Sequence, residues 1–208
     1  MRVHKFLAAL FLSAVVAPLT SVAETPAGLF RANLDSMLFG FGSGEFEHDN
    51  DNVEHDFDAA TVGLGLDSAG VGLGYTVIDG LLIGGRISLG LRGFDDYLDD
   101  SDAFFWSVLP YGEYIFLDGV ARPFVTAVLG FEGKNFDQDA GDRWWWGFEI
   151  GAGGGGHFFV LDQLSLDATM LFSFIVGTGE DESAANNTVD FNHWRFRLSA
   201  LVGLSAWF

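Results

Sequence analysis

Apolar and polar residues alternate along most of this chain. In its last segment Trp194, Phe196, Leu198, Ala200, Val202, Leu204, Ala206 and Phe208 share one parity, and Arg195, Arg197, Ser199, Gly203 and Ser205 share the other. Successive side chains of a β-strand point to opposite faces, so this pattern predicts a strand with one apolar and one polar face. The third segment reads the same way, with Leu81, Ile83, Ile87, Leu89 and Leu91 against Gly84, Arg86, Ser88, Gly90 and Arg92. So does the seventh, with Leu164, Leu166, Ala168, Met170, Phe172, Phe174 and Val176 against Ser165, Asp167, Thr169 and Ser173. Segments 104–116, 122–131 and 144–160 follow with weaker contrast. The second changes phase: Val62, Leu64 and Leu66 precede a slip at Asp67-Ser68-Ala69-Gly70, after which Val71, Leu73, Tyr75 and Val77 continue in the other parity. A bulge, or the point where a loop extension enters the strand, produces such a slip. The first segment, near 29–43, is the least regular.

The connections predict how these strands are joined. Residues 45–58, 93–103, 132–143 and 177–192 are acidic and turn-like, and hold 20 of the 29 acidic residues. Between them lie three short connections, Ile78-Asp79-Gly80, Leu117-Asp118-Gly119 and Leu161-Asp162-Gln163. Asp-Gly between apolar runs is a hairpin signal, because the tight turn needs the positive φ that glycine adopts readily. Long and short connections alternate strictly through seven links, which makes eight strands with both chain ends on the short-turn side. Even strand number, short turns at one end and long loops at the other are the pattern of an up-and-down transmembrane barrel. Closure follows from hydrocarbon, where an open sheet would leave two edges of unpaired amides. Aromatic residues cluster where strands meet the long loops (Phe104, Phe105, Trp106, Trp144, Trp145, Trp146, Phe191, Trp194) and near the opposite ends (Tyr75, Phe116, Phe158, Trp207, Phe208). Two such belts are expected at the two membrane interfaces.

Composition sharpens this expectation. Residues 1–23 read as a cleaved secretory signal: Arg2, His4 and Lys5 precede an apolar run from Phe6 to Val16, and Ser21-Val22-Ala23 supplies the small residues of a cleavage site. That leaves 24–208 as the barrel. The chain has no Cys, so neither a lipid-bearing cysteine nor a disulfide framework is expected. A net charge of −19 argues against nucleic acid, whose phosphates call for Lys and Arg. After the signal the only Lys is Lys134, unlike the Lys- and Glu-coated strands of a soluble barrel.

The alternating strands, the signal segment and the ending Ala200, Val202, Leu204, Ala206, Phe208 resemble the small outer-membrane β-barrel family that includes OmpX and the membrane domain of OmpA. The resemblance covers essentially all of 24–208. It implies an outer-membrane location with periplasmic termini, contact with outer-membrane lipid and lipopolysaccharide, and recognition of the C-terminal strand by the barrel-assembly machinery. No peptidoglycan-binding domain follows the barrel, so the resemblance implies no cell-wall tether.

Candidate chemistry is sparse. Inward parity collects Arg86, Arg92, Glu113, Glu149, His157, Asp167, Arg195 and Arg197. Charges inside a narrow barrel must be paired, so a polar network plugging the lumen is expected, with a conducting or ligand-lined pore as the alternative. Inward glycines such as Gly72, Gly74, Gly84, Gly90, Gly151, Gly153 and Gly155 either open the lumen or make room for long side chains. Barrel lipid A deacylases place a Ser two residues after the catalytic His. Here those positions are Phe6, Asn50, Phe57, Phe159 and Arg195, so no catalytic residue is assigned. The carboxylates of 45–58 lack the Gly and Glu spacing of an EF-type loop, and Gly151 to Gly156 lacks the Lys and helix of a phosphate loop. No cofactor or metal site is therefore expected. The reading is an all-β, closed, antiparallel eight-stranded transmembrane barrel with a structural or surface-interaction role. A narrow pore is the alternative, and a lipid A-modifying enzyme the more distant one.

Overall fold

The computed structural model describes residues 25–48, 54–62, 69–96, 99–138, 143–182 and 188–208. The expected signal segment and its cleavage site lie outside them. Among the described residues, nine strand segments follow one another: β1 Phe30–His48, β2 Glu54–Val62, β3 Ala69–Ile78, β4 Leu81–Asp96, β5 Asp99–Ile115, β6 Ala121–Gln138, β7 Arg143–Leu161, β8 Leu164–Glu182 and β9 Thr188–Trp207. Each is antiparallel to its neighbours in a single sheet. β2 pairs with β1 from Phe39 to Glu47, and β3 pairs with β1 from Phe30 to Asp35. These two segments therefore share one place in the ring. β1 also pairs with β9 from Arg31 to His48, which closes the sheet at eight positions.

The phase change of the second strand has a counterpart one strand away. The β1–β9 register shifts between Met37 and Phe39, so Leu38 is an extra residue. Below this bulge the outward parity of β1 is even, as at Leu34, and above it odd, as at Phe41, both of which are exposed. The bulge thus accounts for the irregular look of the first segment. The slip at 67–70 falls mostly on residues outside those described, between the two pairing blocks.

The acidic segments differ from expectation. They were expected as loops, yet the ladder continues through most of each, with pairs such as Asp95↔Asp100, Asp102↔Asp137 and Arg143↔Asp181. Ladder hydrogen bonds are made by the backbone whatever the side chain, so acidic composition reports solvation and not loss of strand. The strands run to 16–20 residues in β4 to β9. A membrane crossing uses about 9–11 residues.

At the short-turn end Gly80 and Gly119 have φ of 75° and 108°. A Cβ on Gly119 would meet nothing within 4 Å, so alanine there pays only for the backbone conformation. Gly119→Ala is expected to lower the unfolding free energy by about 1–2 kcal/mol. Gly112→Ala, also in open space but in ordinary strand conformation, should be near neutral. Urea unfolding of the two variants side by side checks this.

The outer face is apolar. Val71, Leu73, Ile83, Ile87, Leu89, Phe172, Phe196 and Leu204 are exposed, Leu73 by 65%. The inside is mixed, and at the short-turn end it is apolar: Leu82, Ile115, Phe124 and Trp207 are buried against one another with Tyr111. Trp207 therefore belongs to the interior and not to an aromatic belt. Trp145 and Phe191 are also buried inside, near the loop end, while Trp144, Trp146 and Trp194 stay outside.

Candidate functional site in the barrel interior

Among the described residues, ion pairs inside the barrel gather into two clusters and a separate pair. Nearest the short-turn end, Arg31 from β1 reaches across the lumen. Its Nη1 donates to Glu113 Oε1 at 2.8 Å, and its Nη2 donates to the Tyr111 hydroxyl at 3.0 Å. The imidazole of His157 lies between two carboxylates, with Nε2 2.8 Å from Glu113 Oε1 and Nδ1 2.7 Å from Asp167 Oδ1. Asp167 also accepts from the hydroxyls of Ser165 and Ser205. The ring of Phe124 stacks on the imidazole at 4.6 Å and the edge of Trp207 meets it at 5.2 Å. This cluster ties strands from across the ring, including β1 and β9, which form the closing seam.

Beside it, Arg86 donates from Nε to both oxygens of Asp35, at 2.8 and 3.0 Å, and Asn33 Nδ2 donates to Asp35 Oδ2 at 2.8 Å. Gly70 makes room for this guanidinium: a Cβ there would stand 2.4 Å from Arg86 Nε. Gly84 does the same for the Tyr111 hydroxyl, at 2.5 Å. These two glycines are filled by neighbouring side chains and do not widen a channel. A cavity of about 80 Å³ remains between the clusters, walled toward the loop end by Leu109, Val128, Leu171 and Leu201. By volume it has room for several water molecules.

The second cluster lies further along the same strands. Glu132 accepts from Arg195 Nη2 and, at 2.6 Å, from Arg197 Nη1, while Arg197 Nη2 donates to Glu149 Oε1 at 2.7 Å. Glu149 is fully buried. The Arg195 guanidinium lies 4.3 Å above the Trp145 ring, which narrows the lumen there.

Of the residues that inward parity singled out, Glu113, His157 and Asp167 come together in the first cluster, and Glu149, Arg195 and Arg197 in the second. Arg86 stands in its own pair. Arg92 lies in β4 opposite Ala103, but its side chain is outside those described. Sequence reasoning missed Arg31, Asp35, Tyr111 and Glu132. The first two sit below the β1 bulge, in a strand whose parity could not be read, and Glu132 opens a segment taken for an acidic loop. Among the positions resembling an assembly signal, Leu204, Ala206 and Phe208 are exposed, Val202 is half-buried, and Ala200 is buried between register partners Phe39 and Met170.

Among the described residues, neither hydroxyl of the first cluster is set against a base. Ser165 and Ser205 both donate to Asp167, and both imidazole nitrogens of His157 face carboxylates. Nucleophilic activation needs the hydroxyl on the base. Among the described residues no group of His, Cys, Asp and Glu is arranged to hold a metal ion. Most of the acidic segment 45–58 lies outside the described side chains.

No protein-family model matches the chain, and no curated protein does. Solved structures similar to it include Neisserial surface protein A, at 17% identity over 86% of this chain and 98% of that one, with a TM-score of 0.49. The outer membrane protein OprG from Pseudomonas aeruginosa is 11% identical over 89% of this chain and 99% of that one, with a TM-score of 0.48. The attachment invasion locus protein Ail of Yersinia pestis is 12% identical over 84% and 99%, with a TM-score of 0.41. By the register of its own strands, the chain is a closed antiparallel β-barrel of eight positions, apolar outside and charged within.

Proposed function

We propose that the chain is an integral outer-membrane β-barrel with a plugged lumen and a structural or surface-interaction role, presenting acidic hairpins to the outside. The observation that carries this reading is the inverted distribution of polarity. Leu73 and Val71 are 65% and 59% exposed on the outer wall, while Glu149 and His157 are 0% and 1% exposed within. Water would not tolerate an apolar exterior of this extent. Hydrocarbon favours it, provided every backbone amide is paired, as ring closure allows. Outside the ring, the Trp144 and Trp194 indoles donate to Glu180 and Glu45 at 3.2 and 2.9 Å. Such a belt suits the level of lipid headgroups and lipopolysaccharide.

Orientation follows the same reading. Short turns and both chain ends are assigned to the periplasm, and the acidic hairpins to the outside. The outward positions Ala200, Val202, Leu204, Ala206 and Phe208 are assigned to recognition by the barrel-assembly machinery. Support comes from the place of Phe208 at the seam, where its N–H donates to the Phe30 carbonyl at 3.0 Å and its carbonyl accepts from the Phe30 N–H at 2.7 Å.

Two charged clusters and the apolar layer of Leu82, Ile115 and Trp207 support a sealed lumen over a narrow pore. Planar-bilayer recording of the refolded protein tests this. The expected result is a membrane without stable unitary currents, and reproducible single-channel steps would replace the plugged barrel with the pore.

A further inference from the structure

We infer that the cluster of Arg31, Glu113, His157 and Asp167 is a single-proton site, whose loaded form clasps the short-turn half of the barrel. The inference deepens the plugged-barrel reading and rests on it.

A carboxylate oxygen only accepts, and an imidazole with one N–H can donate to one partner. His157 has a carboxylate oxygen at 2.7 Å from one ring nitrogen and at 2.8 Å from the other. Both contacts are hydrogen bonds only when an additional proton is shared among these three groups. The carboxylates are poor places for it, because Asp167 already accepts from Ser165 and Ser205 and Glu113 from Arg31. The proton therefore belongs to the imidazole.

Charge counting agrees. Within the first cluster, Arg31 and a loaded His157 balance Glu113 and Asp167. Unloading leaves one negative charge uncompensated where burial makes it costly.

A donor for the unloaded form is already in place. Arg31 Nη1 stands 3.1 Å from His157 Nε2 as well as 2.8 Å from Glu113 Oε1. When Nε2 loses its hydrogen, Arg31 can donate to it, and the contact between Glu113 and His157 must open. The groups facing the imidazole from other elements are Arg31 on β1, Glu113 on β5, Phe124 on β6, Asp167 on β8 and Trp207 on β9, and Tyr111 on β5 bonds Arg31. Arg122, the β6 register partner of His157, instead lies over the Phe159 ring at 4.2 Å and donates to the Gly119 carbonyl. One proton thus switches the cluster between two hydrogen-bonded arrangements, and the clasp between β5 and β7 loosens on the alkaline side.

The test is 15N NMR of the full mature chain, labelled at histidine and refolded in detergent, with the His157 signals assigned by their loss in His157→Asn. At neutral pH the wild type should show hydrogen on both ring nitrogens. Glu113→Gln, which removes one flanking charge, should show it on one only. Asp167→Asn serves the same purpose if Glu113→Gln does not fold. A folded wild type with a bare ring nitrogen at neutral pH, or a folded Glu113→Gln that keeps both hydrogens, overturns the proton site alone. A wild type that shows no heat-dependent change of electrophoretic mobility overturns the barrel and the proton site together.

Discussion

Replacing Glu132 by alanine is expected to destabilise the barrel by about 3–5 kcal/mol, the cost of leaving a buried ionic group without its partner. Glu132 is the acceptor that Arg195 and Arg197 share. Its removal leaves Arg195 with only the Trp145 ring among its described contacts, and Arg197 with Glu149 alone. Glu132→Gln should cost less, since one amide oxygen still accepts. Both values are read from urea titrations of the folded, fast-migrating form in detergent. A loss under about 1 kcal/mol for Glu132→Ala, the worth of an exposed pair, would mean that water reaches the second cluster freely and that the lumen is open there.

Ile87→Arg is expected to cost about 2–4 kcal/mol when the barrel is refolded into lipid bilayers, the range for a cation on the lipid face near the midplane. Ile87 is 55% exposed and faces away from the lumen, beside Val71 in the β3–β4 register. On a soluble barrel the same change would place a charge in water at little cost. The substitution therefore separates the two environments of the outer wall, and a near-neutral result in bilayers would argue that this face does not meet hydrocarbon.

Much of the fold was legible because the outer wall and the lumen impose opposite demands on adjacent residues. Phe196 and Leu198 against Arg195 and Arg197 could be read as outside and inside from parity alone. The Asp79-Gly80 turn, and the longer connection 116–120 that holds Gly119, were legible for a different reason, the positive φ that glycine permits. What could not be read follows from two physical causes. An extra residue at Leu38 reverses parity within β1, and so concealed Arg31 and Asp35, which anchor the first cluster and the Arg86 pair. Aromatic residues also serve two roles at the barrel ends. Trp146 and Trp194 are exposed on the outer wall, while Trp145, next to Trp146, and Trp207, on the same strand as Trp194, turn inward. Composition cannot separate these roles, and only the strand register does.

The acidic segments carry the same lesson for energetics. Their charge suggested loops, yet the ladder runs through Asp95 and Asp96 against Asp100 and Asp99. Glu132 shows the other side of this: counted with a solvated run, it sits inside the barrel and accepts from two arginines.

Gel electrophoresis of unheated and boiled samples of isolated outer membranes asks whether the chain is a closed barrel inserted there. The protein is expected in that fraction, migrating as a compact species until boiling shifts it. A protein recovered in the soluble fraction, with the same mobility before and after boiling, would contradict it.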